Sequence, residues 1–90
     1  MIEQDVEIRN PLGLHARAAA RFVRTATLFR SSVRVERSGR TMDGKSILGM
    51  LLLAASAGTR LRLIVDGEDE REAVAALVAL VAGGFGEVAR

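Results

Sequence analysis

The chain contains no cysteine, no tryptophan and no tyrosine, and it has one proline, Pro11, and one histidine, His15. Without cysteine, disulfide bridges, thiolate metal sites and cysteine nucleophiles are excluded. With a single imidazole, a zinc site built on several histidines is excluded as well. Only Phe22, Phe29 and Phe85 could stack on bases, which argues against a reader of single-stranded nucleic acid. The longest apolar stretches, Ile47–Gly58 and Ala73–Phe85, fall short of the roughly 20 residues that a membrane span needs. The opening residues Met1-Ile2-Glu3-Gln4-Asp5 are acidic and lack the basic region and apolar core of a signal peptide. These absences predict one soluble, cytoplasmic domain over residues 1–90, with no metal, no cofactor, no nucleic acid and no membrane among its ligands.

What is present is a globular balance, 49% hydrophobic and 27% charged residues in a chain of 90. The net charge of +2 is modest but unevenly placed, and Lys45 is the only lysine. Arg9, Arg17, Arg21, Arg24, Arg30, Arg34, Arg37 and Arg40 all lie in the first half, whereas Glu68, Asp69, Glu70 and Glu72 cluster late. Arginine keeps its charge at any relevant pH and forks onto phosphate or carboxylate. A basic face of this kind would draw an acidic partner or a phosphate.

Hydrophobic periodicity gives the elements. Ile2–Ile8 alternates and reads as a half-buried strand, with Gln4 interrupting its inward face. Asn10-Pro11-Leu12-Gly13 is a turn cluster. From Ala16 the period changes: Ala19, Phe22, Val23, Ala26 and Phe29 recur at helical spacing, with Arg17, Arg21 and Arg24 on another side, a helix of about three turns. Ser32–Arg37 and Arg40–Met42 form a hairpin around Ser38-Gly39. Ser46, after the turn Asp43-Gly44-Lys45, caps a helix through Ile47–Ala55 that Ala57-Gly58 closes. Arg60–Val65 is a strand, and Glu68–Ala82 a helix with acids in its first turn and a Gly83-Gly84 stop. The order β-α-β-β-α-β-α predicts a two-layer α+β open-faced sandwich, a four-stranded and mainly antiparallel sheet covered on one face by three helices. A ferredoxin-like arrangement is the generic competitor.

The segment that can do chemistry is Gly13-Leu14-His15-Ala16-Arg17. His15 falls where a turn meets a helix, beside first-turn N–H groups that have no intrahelical partner and a positive dipole end. An anion there would find ready donors, with Arg17 able to fork onto it and Gly13 letting the backbone come close. The positive helix end and Arg17 disfavour the imidazolium, leaving a neutral ring able to attack phosphorus. The bland reading is that His15 merely caps the helix while Arg17 is solvated.

Gly-Leu-His-Ala-Arg opening one helix, followed about thirty residues on by Gly-Lys-Ser-Ile-Leu-Gly-Met opening another, resembles the HPr family, the histidine phosphocarriers of the bacterial phosphotransferase system. The similarity runs from about Val6 to Glu87 without a gap and takes in Gly67-Glu68-Asp69-Glu70 and the tail Gly84-Phe85-Gly86-Glu87. The resemblance implies the open-faced β-sandwich and a carrier that is a protein substrate of partner enzymes rather than an enzyme. His15 would accept a phosphoryl group on Nδ1 from phospho-enzyme I and pass it to an enzyme IIA component. Arg17 would steady that group, and Ser46 would match the serine that an HPr kinase phosphorylates in some bacteria. One departure stands out: many sugar-transporting members have proline after the arginine, whereas Ala18 stands here, as in the nitrogen-related branch.

Ser46 also has a plain role as an N-cap, and Lys45 beside it reads as a solvated turn residue. The Ile47–Leu53 segment is apolar nearly all round, so Ile47, Leu48 and Leu51 are expected to remain exposed beside the His15 loop. With Ala20, Arg21 and Arg24 they would form a docking face for a monomeric carrier, burial in a dimer being the alternative. Two other classes stay open: a regulatory module of the same fold acting through Ser46, and a ferredoxin-like RNA-binding domain. No Walker-type nucleotide loop is present and no paired acids for Mg²⁺ lie near His15, so donor and acceptor active sites must come from partners.

Overall fold

A computed structural model describes residues 1–87; the expectation of one domain over 1–90 extends to 88–90, outside the described residues. The elements are β1 (Ile2–Glu7), α1 (Ala16–Ala26), β2 (Ser32–Arg37), β3 (Arg40–Asp43), α2 (Ile47–Leu52), β4 (Arg60–Asp66) and α3 (Glu70–Ala82), followed by a 3-10 turn over Gly84–Gly86. The sheet order is β1-β4-β2-β3 and every neighbouring pair is antiparallel. Each βαβ unit is therefore split: β4 lies between β1 and β2, and β2 lies between β3 and β4. A ferredoxin-like order would have placed β1 in the interior; here it is an edge strand.

The alternation read in the sequence decides which face is covered. On β4, Leu61, Leu63 and Val65 are buried under the helices, while Arg60 and Arg62 face out. Register puts Val33 and Val35 of β2 beside Val65 and Leu63, extending one apolar layer across the two central strands. Ala18, Ala19, Phe22 and Ala26 bring α1 onto that layer. Its small alanines allow close approach, and Phe22, at 1% exposure, supplies the volume. The other face carries Arg62 paired with Asp5 at 3.0 Å, an exposed contact that contributes little to stability.

Two helix boundaries differ from expectation, each for a local reason. α2 stops at Leu52 rather than Ala55 because Ala54 turns to φ 50° and arginines from the hairpin take the last carbonyls. Arg37 Nη1 donates to Leu53 O and Ala54 O at 2.7 and 2.8 Å, and Arg40 Nη1 to Leu52 O at 3.3 Å. α3 starts at Glu70 rather than Glu68 because Asp69, at the N-cap, turns its carboxylate away from the helix. That carboxylate accepts from Ser31 Oγ and from the N–H groups of Arg30 and Ser31. The Gly83-Gly84 stop is followed by a 3-10 turn whose Phe85 is buried at φ 58°.

Candidate phosphoryl-acceptor site

The loop before α1 is held from within and from outside. Gly13 N donates to Asn10 O at 3.0 Å, and Leu14 N to Ala55 O at 2.8 Å. Gly13 has φ +70°, and a Cβ there would lie 2.7 Å from Ala55 O, so only glycine fits this close approach. His15 is then the N-cap of α1, with extended backbone, its N–H on Gly13 O and its carbonyl accepting from Ala19 N at 2.8 Å.

N-caps are normally Ser, Thr, Asp or Asn, whose oxygens accept a first-turn N–H. Here a ring nitrogen does so, Nδ1 accepting from Arg17 N at 3.3 Å. On the far side of the ring Nε2 meets Glu87 Oε2. The two contacts fit the tautomer in which Nε2 carries the proton and donates to the carboxylate and Nδ1 keeps a lone pair aimed at the helix end. The ring is 28% exposed, enough for a reagent to reach it.

Glu87 is held in turn. Asn10 Nδ2 donates to Glu87 Oε1 at 2.9 Å and to Gly13 O at 2.7 Å. Arg21 Nη1 donates to the carbonyl of Phe85 and so fixes the turn that presents Glu87. The Asn10 amide, followed by the His15 ring, holds the Glu87 carboxyl below the usual glutamate range, so it is a carboxylate at neutral pH. His15, Arg17, Arg21, Glu87 and Pro11-Leu12 line one open cleft.

The structure brings some of the expected residues together and spreads others. Arg17 is exposed at the mouth of the cleft; Arg21 is half-buried in its wall. Ala20 is half-buried and Arg24 exposed. Ser46 caps α2, its Oγ accepting from Gly49 N at 3.0 Å, and α2 packs against α1. Ile47, Leu48 and Leu51 are exposed at 45%, 67% and 37%, and Leu52 joins them at 50%, an addition to the expected patch. Among the described residues no helix is long and apolar enough to cross a membrane.

Sequence reasoning missed the roles of Asn10 and Glu87. Asn10 read as a turn residue and Glu87 as the end of a tail, 72 positions from His15. The sequence placed a positive helix end and Arg17 beside the ring; the structure adds a carboxylate on Nε2.

A family model described as "PTS HPr component phosphorylation site" matches residues 2–83. The chain belongs to the HPr family. It is similar to the phosphocarrier protein HPr of Cupriavidus necator, 49% identical over 97% of this chain and 98% of that one. It is also similar to the HPr-like protein Crh of Bacillus subtilis, 48% identical over 90% of this chain and 95% of that one. Among solved structures, HPr-C-His from Thermoanaerobacter tengcongensis superposes with a TM-score of 0.95 at 45% identity, covering 99% of this chain and all of that one. A structure titled as an HPr dimer from the same organism gives 0.78 at 46% identity, over 97% of this chain and all of that one. The open-faced sandwich is thus the HPr fold, and membership of this family supports a phosphocarrier role in the phosphotransferase system.

Proposed function

We propose that this HPr-family chain accepts a phosphoryl group on His15 from phospho-enzyme I and hands it to an enzyme IIA component. The observation that supports this most directly is the ring geometry, a lone pair on Nδ1 at the N-terminus of an eleven-residue helix, with Nε2–H tied to a carboxylate. In the transfer, Nδ1 attacks phosphorus in line, the bond from phosphorus to the donor group breaks, and that group leaves with its electron pair. The phosphoryl oxygens then replace Nδ1 as acceptors for the first-turn N–H groups, with the Arg17 guanidinium in reach for a forked contact. The ring becomes cationic as the N–P bond forms, and Glu87, already on Nε2–H, offsets that charge. The return step to the acceptor reverses these moves, so the carrier does no net chemistry.

The docking face in this reading is the exposed row Ile47, Leu48, Leu51 and Leu52 together with Ala20, Arg21 and Arg24. Partners meet it transiently and the carrier works as a cytoplasmic monomer. A second reading, favoured by the similarity to Crh, makes the chain a regulatory module whose signal is phosphoserine at Ser46, written by an HPr kinase. The two need not exclude each other: a phosphate at Ser46 would set a double negative charge on the docking face without refolding the domain. Incubation with enzyme I and labelled phosphoenolpyruvate, followed by mapping of the label, tests the first reading. Label on His15 supports it, and a chain that takes up none contradicts it.

A further inference from the structure

We propose that Asn10 and Glu87 form a positioning pair that assigns the reacting nitrogen of His15, Glu87 closing Nε2 so that phosphorylation takes place on Nδ1. This rests on the carrier reading and adds to it what selects one ring nitrogen over the other.

An imidazole offers two nitrogens, and in a solvated ring either can attack. Here they face different surroundings. Nε2 keeps its proton and donates it in a hydrogen bond to Glu87 Oε2, has no lone pair in this tautomer, and has a carboxylate across its line of approach. An incoming phosphoryl dianion would meet both the volume and the charge of that group. Nδ1 faces the helix end instead, and its bond from Arg17 N is long at 3.3 Å, so giving it up to a phosphoryl oxygen costs little.

Glu87 can do this only if it is aimed, and three contacts aim it. Its other oxygen, Oε1, accepts from Asn10 Nδ2, which also donates to Gly13 O. Both partners of Asn10 are acceptors, so its amide can sit only one way round, and Oδ1 is buried with no partner among the described residues. A buried, unpartnered acceptor is costly, and it is retained where the opposite end of the same side chain is needed. Buried Phe85 in the left-handed region, with Arg21 on its carbonyl, turns the chain so that Glu87 returns over the ring.

The test uses phosphoramidate, a small phosphoryl donor that needs no partner enzyme. Its P–N bond breaks, ammonia leaves, and the N–P bond to His15 forms; nitrogen-15 NMR then identifies the nitrogen that carries phosphorus. The wild-type protein is expected to give the Nδ1 product alone. Glu87→Ala is expected to give the Nε2 product in an amount comparable to the Nδ1 product, with Glu87→Gln between the two. Exclusive Nδ1 reaction in Glu87→Ala, or Nε2 reaction in the wild type, overturns the proposal. Circular dichroism confirms that the variants fold. Solvent exchange of the Nε2 proton in the unphosphorylated protein supplies a readout independent of transfer, slow in the wild type and fast in Glu87→Ala and Asn10→Ala. A slowly exchanging proton in a chain that enzyme I never phosphorylates supports the pair and removes the carrier reading. A fast-exchanging proton in the wild type removes the pair whatever the transfer assays give.

Discussion

The backbone N–H of Leu14 donates to the carbonyl of Ala55 at 2.8 Å, joining the loop that carries His15 to the turn that ends α2. The ring and the exposed apolar row of α2 are thereby parts of one framework, so a partner that docks on the row meets His15 at a fixed position. Gly13, with φ +70° and no room for a Cβ against Ala55 O, makes the joint close. Gly13→Ala is expected to lower stability by about 1–3 kcal/mol, the cost of a left-handed non-glycine residue, and to slow phosphoryl transfer. Chemical denaturation together with transfer rates checks both, and a variant as stable and as fast as the wild type would contradict this account of the loop.

Leu48, at 67% exposure, touches little within the domain, and in the proposed carrier it belongs to the docking face. Leu48→Ala is expected to change stability by less than about 0.5 kcal/mol. It should raise the KM for enzyme I several-fold while leaving kcat nearly unchanged. Ser46→Asp should act in the same direction through charge. An unchanged KM in both variants would take α2 out of the docking face.

Asp69 predicts how the domain responds to acid. Its carboxyl is held down to about 2 from 3.8, first by the Ser31 hydroxyl and then by the Arg30 N–H, with the Ser31 N–H adding to them. A folded value below the unfolded one means that the stabilisation is complete above about pH 5 and drains away as the pH falls through about 2. Glu70 and Glu87 shift the same way. Urea midpoints should therefore fall steadily from pH 5 to pH 2, with a shallower fall in Asp69→Asn. An equal slope in that variant would show that Asp69 is not a main source of the acid sensitivity.

Much of this architecture is legible in the order of residues, because period-2 and period-3.6 patterns are local. Leu61, Leu63 and Val65 mark β4, and Ala19, Phe22 and Ala26 mark the buried stripe of α1, as found. His15 and Arg17 stand out because a turn and a helix meet between Gly13 and Ala16. What was not legible depends on contacts far apart in sequence. Nothing near Leu53 announces that Arg37 and Arg40 will cap α2 early, and nothing near Glu87 announces a histidine. The turn at Phe85 was hidden for another reason: a buried aromatic at positive φ runs against the ordinary preference of the residue, and only the packed fold holds it there.

Arg17 is exposed, and its backbone rather than its guanidinium touches the ring. Arg17→Ala should therefore keep the helix, since alanine is a better helix former, and lose a donor that matters once the phosphoryl group arrives. Loss of one such donor typically slows a reaction by about 100-fold. Transfer rates measured beside a thermal midpoint decide the point, and unchanged kinetics would refute a role for the arginine.

In the proposed carrier one imidazole holds the phosphate, and the stability of the phosphorylated product to acid and alkali tests this most directly. The chain labelled by enzyme I and phosphoenolpyruvate should hold a phosphate that is lost in acid and kept in alkali, present in Ser46→Ala and wholly absent in His15→Ala. An acid-stable label that survives in His15→Ala and disappears in Ser46→Ala would contradict the account.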